Sequence, residues 1–322
     1  MSDRAIRIRE TGGPEVLRLE EITVPPPGPG EARVRHEAVG VNFVDTYHRT
    51  GLYPLPLPSG LGVEAAGVVE ALGPGVEGLR AGHRVAYLAA PGSYATARNV
   101  PADRLVALPA GVTAEVAAAA LVKGLTAHML VTRYRPARAG DAVVVTAAAG
   151  GVGQLLVQWL VSLGATVLAV VGSEEKAALV RGLGAQHALV TGRDDVPARV
   201  KALTGGVPLV YDSVGKATFE GSLDCLAPFG ILVTYGNASG PVAPFDPALL
   251  GRKGSLAVAR PSVFTHVARR ADLVEAAAAL FERLGDGRVK VAVGGRWPLA
   301  EAAEAHRALE SRATTGSLLL RP

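Results

Sequence analysis

Residues 147–153 read Ala-Ala-Ala-Gly-Gly-Val-Gly and follow an unbroken apolar run, Ala142–Thr146. A glycine cluster between a buried strand and a helix start suits the pyrophosphate of a dinucleotide. The first turn of the helix offers N–H groups and the positive end of its dipole, and a missing side chain lets phosphate oxygens reach them. Gly150 gives that close approach, Gly151 and Val152 open the helix, and Gly153 lets helix and strand pack closely. Ala148 stands where the strict G-x-G-x-x-G pattern has its first glycine. A tight turn in some other α/β protein is the plainer reading, but the strand before and the helix after favour the nucleotide.

The end of the next apolar run decides between NAD and NADP. An NAD site usually carries Asp or Glu there to bond the ribose 2′-hydroxyl. Here the run ends Val170-Val171-Gly172-Ser173, with Lys176 one turn on. Ser173 can donate a hydrogen bond and Lys176 a full charge to a 2′-phosphate. Glu174 and Glu175 suit the first turn of a helix, facing water. NADPH is the expected cofactor.

These residues need a scaffold. From about residue 112 apolar strands alternate with helices: Ala142–Thr146, Gly151–Leu163, Thr166–Val171, Glu174–Leu183, Ala188–Thr191, Val196–Leu203, Leu209–Val214, Phe219–Leu226, Ile231–Tyr235 and Ser255–Ala259. Such alternation predicts a parallel sheet covered on both faces. The first third differs. Short Val- and Leu-rich runs (Ala5–Arg9, Val16–Val24, Glu31–Val39, Val63–Leu72) are punctuated by Gly and Pro, which predicts a small β-rich lobe. An alanine-rich helix is expected over Thr113–Leu121. Near the end come a helix over Ala271–Leu284, a strand at Val289–Val293, a helix from Pro298 through Glu310 and a strand at Ser317–Leu320 that returns to the first lobe.

Composition narrows the classes further. The 322 residues, 49% hydrophobic, are enough for two cores. No uncharged apolar run reaches the roughly 20 residues of a membrane span, and Met1-Ser2-Asp3-Arg4 leads straight into strand-like sequence, so the cytosol is the expected location. The net charge of +4 is scattered, and with 5% aromatics no basic stripe suits nucleic acid. Cys225 is the single cysteine, which rules out an internal disulfide or a thiolate cluster and suits a buried core position.

The nucleotide motif does not stand alone. With Gly172-Ser173-x-x-Lys176, Tyr211-Asp212-Ser213-Val214-Gly215 and Tyr235-Gly236-Asn237 come Gly40-Val41-Asn42-Phe43-Val44-Asp45-Thr46-Tyr47, Arg49-Thr50-Gly51-Leu52-Tyr53-Pro54, Gly62-Val63-Glu64-Ala65-Ala66-Gly67 and Glu310–Gly316. In these, over nearly its whole length, the chain resembles the zinc-free quinone oxidoreductases of the medium-chain dehydrogenase/reductase superfamily, the relatives of zeta-crystallin. The resemblance implies an α/β fold in which a Rossmann doubly wound sheet (121–262) is inserted into a GroES-like catalytic domain (1–120 with 263–322). It also implies a homodimer, NADPH in the cleft between the lobes, and hydride or electron transfer to a quinone. Phe43, Asp45 and their neighbours to Tyr47 match the nicotinamide wall, Thr126 the nicotinamide ribose, Gly151 and Val152 the pyrophosphate, and Val214 with Tyr235, Gly236 and Asn237 the cofactor's border. Val263, Phe264 and Thr265 match the carboxamide stretch, and Gly172, Ser173, Lys176 and Arg312 the 2′-phosphate grip. Thr191 stands where relatives often carry Tyr; it hydrogen-bonds but cannot stack, and Arg193 is the nearby cation able to compensate.

Zinc-dependent cousins place Cys where Asn42 stands and His where Val63 stands, so this chain lacks those ligands and no Lewis acid is expected. Asn42, Tyr47 and Tyr53 are the candidate catalytic residues. Asn42 can bond a carbonyl; the tyrosines can stack on a flat acceptor or donate a proton, although tyrosines beside Gly and Pro also simply pack a lobe. Two alternatives stay open: an NADPH-dependent enoyl or alkenal reductase, and a non-catalytic NADPH-binding redox sensor.

Overall fold

The computed structural model describes residues 2–322 and divides them into two compact units. One runs to Lys123 and takes back Arg270–Gly285 and Val291–Pro322; the other holds Gly124–Arg269 with Asp286–Lys290.

The first unit is built on a 7-stranded sheet. Its long strand Glu31–Val41 pairs antiparallel with Glu64–Leu72 and with the C-terminal strand Ser317–Arg321, so the end of the chain does return to the first lobe. Three short strands that the Gly and Pro punctuation hides, Arg84–Leu88, Ala97–Pro101 and Leu105–Ala107, complete the sheet together with Val293–Pro298. A 3-stranded sheet of Arg18–Ile22, Asp3–Ile8 and Ser59–Gly60 lies in the same unit. Helix α1, Phe43–Arg49, follows the long strand at once, with Asn42 as its N-cap residue. Helix α2, Ala114–Thr132, begins here. The sequence predicts its end at Leu121, but it runs through Lys123-Gly124. Leu125, Met129 and Leu130 continue the buried run, which outweighs the roughly 1 kcal/mol that a mid-helix glycine costs.

The expected strand Val289–Val293 forms later, at Val293–Pro298. Lys290 gives its backbone N–H and C=O to the Gln158 side chain, at 2.8 and 3.0 Å. A side chain thus satisfies the backbone there, and the ladder starts beyond it, parallel to Ser317–Arg321.

The second unit carries a 6-stranded sheet in the spatial order His187–Val190, Thr166–Val171, Ala142–Val145, Val207–Asp212, Leu226–Thr234, Ala257–Ala259, every pair parallel. The chain works outward in both directions from Ala142–Val145, which is the doubly wound order. Helix α3, Gly151–Ser162, and helix α4, Glu174–Gly182, follow the first two strands of this domain. Two strands end differently from expectation for local reasons. The strand expected at Leu209–Val214 stops at Asp212, whose carboxylate takes the N–H groups of Val214 and Gly215. The edge strand starts at Ala257, because Ser255 has φ +58 and cannot join a ladder.

Packing at one glycine fixes the geometry around α1. Leu319 pairs with Gly40 across the sheet, and a Cβ on Gly40 would overlap the Glu64 carboxylate and the Ala118 carbonyl. Neither can retreat, since the carboxylate is itself held by three donors. Gly40→Ala is expected to lower stability by about 2–4 kcal/mol, read as a fall in the urea midpoint.

Two buried histidines set the acid limb of stability. His36 gives Nδ1–H to the Ala95 carbonyl at 2.7 Å and receives the Tyr87 hydroxyl on Nε2 at 2.8 Å. Burial pushes its pKa down to about 4, and burial with the Arg49 charge pushes His306 to about 3. Both are neutral in the fold and protonate more readily unfolded. Their contribution is full above the ordinary histidine pKa of about 6.5 and is lost as pH falls through the window toward the folded values. The urea midpoint is expected to drop between pH 6.5 and 4, and His36→Gln to show a shallower drop.

Candidate functional site

In the first unit the site grows from the end of one strand. Asn42 follows Val41, and Glu64 opens the neighbouring strand, so the two meet across the sheet. Asn42 Nδ2 donates to Glu64 Oε2 at 3.0 Å, and Lys123 Nζ, from α2, donates to Asn42 Oδ1 at 2.8 Å and to Glu64 Oε2 at 3.4 Å. Glu64 Oε1 accepts the Val122 N–H at 2.6 Å. All three side chains are buried. An ammonium donates only and a carboxylate accepts only, so the two neighbours fix which way the Asn42 amide points. One of its N–H groups is committed to Glu64; the second is left as a donor.

The same cluster tests for a metal. Asn42 supplies no thiolate, Val63 is a fully buried aliphatic side chain, and the Lys123 ammonium already stands at hydrogen-bonding distance from Asn42. A divalent ion there would be repelled by that charge, so the residues do not fit zinc. Among the described residues no group of three or more His, Cys, Asp or Glu is placed to hold a metal ion.

Asp45, third residue of α1, reaches back to accept the Asn42 N–H at 2.8 Å. The Tyr47 and Tyr53 rings stand edge to face with centroids 5.3 Å apart. Tyr53 N donates to the Tyr47 carbonyl at 3.0 Å, which seats the following loop on the helix. Phe43 lies 6.3 Å from the Tyr47 ring. Tyr53 is 36% exposed and Tyr47 is buried, so of the two tyrosines Tyr53 presents more of its ring to solvent. His48 is buried against Tyr53 and has its pKa lowered by that burial. Arg312 follows the last helix with φ +58, in an exposed turn.

In the second unit the cradle for a dinucleotide is present. Gly150 is the N-cap residue of α3, with no side chain of its own to occupy the helix's free N–H groups. A Cβ on Gly153 would stand 2.5 Å from the Ala147 carbonyl and 2.7 Å from Ala148, so Gly153 serves close packing. A Cβ on Gly172 would meet nothing within 4 Å, leaving the strand tip open. Ser173 caps α4 by accepting the Lys176 N–H at 3.3 Å, which leaves its hydroxyl proton to donate. These features fit a pyrophosphate at α3 and a 2′-phosphate at α4. Arg193 lies against Glu174 and Asp194, so a phosphate reaching it competes with two carboxylates; Thr191 is exposed.

The two far strand tips are tied together. Asp212 is buried and accepts from Thr146, Thr218 and Ser222 as well as from two backbone N–H groups, shaping the turn that carries Val214. A Cβ on Gly236 would overlap the Ser213 backbone, so the turn holding Tyr235, Gly236 and Asn237 packs directly on it. Arg260 donates to the Gly236 carbonyl at 3.0 Å, which ties in the stretch that precedes Val263, Phe264 and Thr265. These three open a short helix whose His266 bonds His128, two residues beyond Thr126. Cys225 is buried and its thiol is pushed up to about 12 by that burial, which leaves it an inert core residue.

Sequence reasoning missed Glu64, Lys123, Asp212 and Arg260. Glu64 and Lys123 carried a legible signal: each is a charge inside an otherwise apolar run, and such a charge needs a buried partner.

Comparisons agree with this architecture. A family model described as alcohol dehydrogenase GroES-like domain matches residues 28–110, and one described as zinc-binding dehydrogenase matches 151–282. A quinone oxidoreductase of Pseudomonas aeruginosa is 45% identical over 99% of both chains. A 2-haloacrylate reductase of a Burkholderia species is 41% identical over 98% of both. The crystal structure of Escherichia coli quinone oxidoreductase complexed with NADPH superposes with a TM-score of 0.97, at 43% identity, covering 99% of this chain and all of that one.

Proposed function

Because this chain belongs to the quinone oxidoreductases of the medium-chain dehydrogenase/reductase superfamily, we propose that the Asn42 site is where it reduces quinones with NADPH. The enzyme is an NADPH-dependent oxidoreductase, and its acceptor is a small quinone. NADPH supplies the hydride; the quinone takes that hydride and one proton, leaving NADP+ and hydroquinone.

The observation that carries the site assignment is the fixed Asn42 amide. Held by Lys123 and Glu64, it offers an N–H rather than a carbonyl, and the Lys123 charge behind it strengthens that donor. A donor of this kind stabilises negative charge developing on a carbonyl oxygen during reduction. An electron-poor quinone needs no more activation than that. Tyr53 and Tyr47 offer a flat acceptor an aromatic surface, and a tyrosine hydroxyl can pass on the proton. Gly150, Gly151, Val152 and Gly153 hold the pyrophosphate; Gly172, Ser173, Lys176 and Arg312 hold the 2′-phosphate. Thr126, Phe43, Val214, Tyr235, Gly236, Asn237, Val263, Phe264 and Thr265 line the remaining cofactor.

Asn42→Ala tests the assignment. It is expected to lower kcat for benzoquinone by about a hundredfold, the loss of one such donor, with Kd for NADPH changed little. Unchanged kcat would remove Asn42 from the site. The 41% identity to a 2-haloacrylate reductase favours a second reading in which the acceptor is an activated C=C bond; alkenal turnover that exceeds quinone turnover would select it. We also propose a cytoplasmic homodimer that pairs along the exposed edge Ala257–Ala259, to be checked by light scattering on the purified protein.

A further inference from the structure

A row of buried polar side chains runs through the first unit to Asn42, and the reaction as described leaves it without a role. At its outer end Glu310, 36% exposed, forms a two-pronged ion pair with Arg49, the buried last residue of α1. Arg49 Nη1 also lies 3.0 Å from His306 Nδ1. His306 Nε2 lies 3.0 Å from the Tyr94 hydroxyl, and that hydroxyl lies 3.0 Å from Asp45 Oδ2, the oxygen that accepts the Asn42 N–H.

The protons in this row are all assigned by chemistry. A guanidinium donates only, so His306 Nδ1 accepts and the ring's one proton sits on Nε2. That N–H points at Tyr94, so the Tyr94 proton must point at Asp45. Between Arg49 and Asp45 each donor faces the carboxylate: Arg49 donates to His306, His306 to Tyr94 and Tyr94 to Asp45. Asp45 Oδ2 receives two hydrogen bonds, and Oδ1, equally buried, has no partner. The first turn of α1 is therefore held by a carboxylate whose own support comes from a histidine more than 250 residues away in sequence.

We propose that His306 is a positioning residue for quinone reduction, acting through Tyr94 and Asp45 to hold the Asn42 end of α1 in its working place. The proposal rests on the assignment of Asn42 to the acceptor side. It predicts a pH signature as well. Asp45 faces Tyr94, the Lys123 ammonium and the Glu64 carboxylate, with His306 and Arg49 beyond Tyr94. Burial is the main cause that raises its carboxyl to about 7, opposed by the hydrogen bonds from Asn42 and Tyr94. A proton on Asp45 would sit on Oδ1 and weaken Oδ2 as the acceptor of the Asn42 N–H. Activity then falls on the acid side of that value, and loss of the Tyr94 donor moves the limb upward, since fewer hydrogen bonds favour the ionised form.

The test is kcat for benzoquinone reduction by the full-length protein across pH, in Tyr94→Phe, His306→Asn and His306→Gln, with Asn42→Ala as reference. Gln keeps an N–H in reach of Tyr94; Asn keeps an acceptor for Arg49 and nothing for Tyr94. The proposal expects Tyr94→Phe and His306→Asn to lose about tenfold in kcat near neutrality with an unchanged NADPH KM, and Tyr94→Phe to raise the acid limb by roughly one unit, while His306→Gln stays near wild type. It is overturned if folded Tyr94→Phe and His306→Asn keep the wild-type kcat and Tyr94→Phe the wild-type limb. It is equally overturned if all three lose kcat and NADPH affinity together in proportion to a loss of melting temperature, which marks a merely structural role. An inert Asn42→Ala would instead overturn the assignment of Asn42 itself.

Discussion

Lys123→Met is expected to destabilise the protein by about 3–5 kcal/mol and to abolish most quinone turnover. The ammonium is 6% exposed and its partner Glu64 is fully buried. Without Lys123 the carboxylate stays in the interior with only hydrogen bonds to balance it, and a stranded buried charge costs that much. The activity loss has a separate cause: Asn42 Oδ1 loses its donor, the amide is free to turn, and the N–H offered to the acceptor is no longer fixed. The two effects separate in the double variant Lys123→Met/Glu64→Gln. Removing the stranded charge returns most of the stability, read as the urea midpoint, whereas kcat stays low. Recovery of kcat together with stability would mean that Lys123 serves the fold alone.

Lys176→Ala/Arg312→Ala is the second large effect. In the proposed site each side chain gives the 2′-phosphate a charge-assisted hydrogen bond, a contact of about 1.5–3 kcal/mol. Together they are expected to weaken NADPH binding by about a thousandfold and to leave NADH, which has no such phosphate, nearly unaffected. Fluorescence titration with both cofactors checks this. An equal loss for both would place these residues elsewhere than at the 2′-phosphate.

Much of the fold was legible because its signals are local. The run Ala142–Val145 is apolar on both faces, the glycines at 150–153 follow it, and α3 starts where they predict. The short Val- and Leu-rich runs between Gly and Pro likewise marked the β-rich lobe, to which Ser317–Arg321 returns. What stayed hidden depends on contacts distant in sequence. Arg84–Leu88, Ala97–Pro101 and Leu105–Ala107 are strands only because longer neighbours pair with them. The strand at Val293–Pro298 is displaced because the Gln158 side chain occupies the Lys290 backbone. In the site, Asn42, Tyr47 and Tyr53 were picked out within the motifs that carry the family resemblance, and the structure groups the two tyrosines on and beside one helix. Of the controls on Asn42, Glu64 and Lys123 show only as charges inside apolar runs and Asp45 only within the family motif, while nothing marks Tyr94 or His306. Glu64, Lys123, Asp45, Tyr94 and His306 come from five separate segments, and no spacing in the sequence brings a residue at position 306 to a helix that begins at 43.

Oxidation of NADPH by a quinone at the Asn42 site is followed as NADPH absorbance in the purified enzyme with benzoquinone and phenanthrenequinone, with crotonyl and trans-alkenal acceptors in parallel and with NADH in place of NADPH as the control. The expected result is rapid, NADPH-selective reduction of the quinones and slower turnover of the alkenes. Turnover of the alkenes alone, or equal rates with NADH, would contradict it.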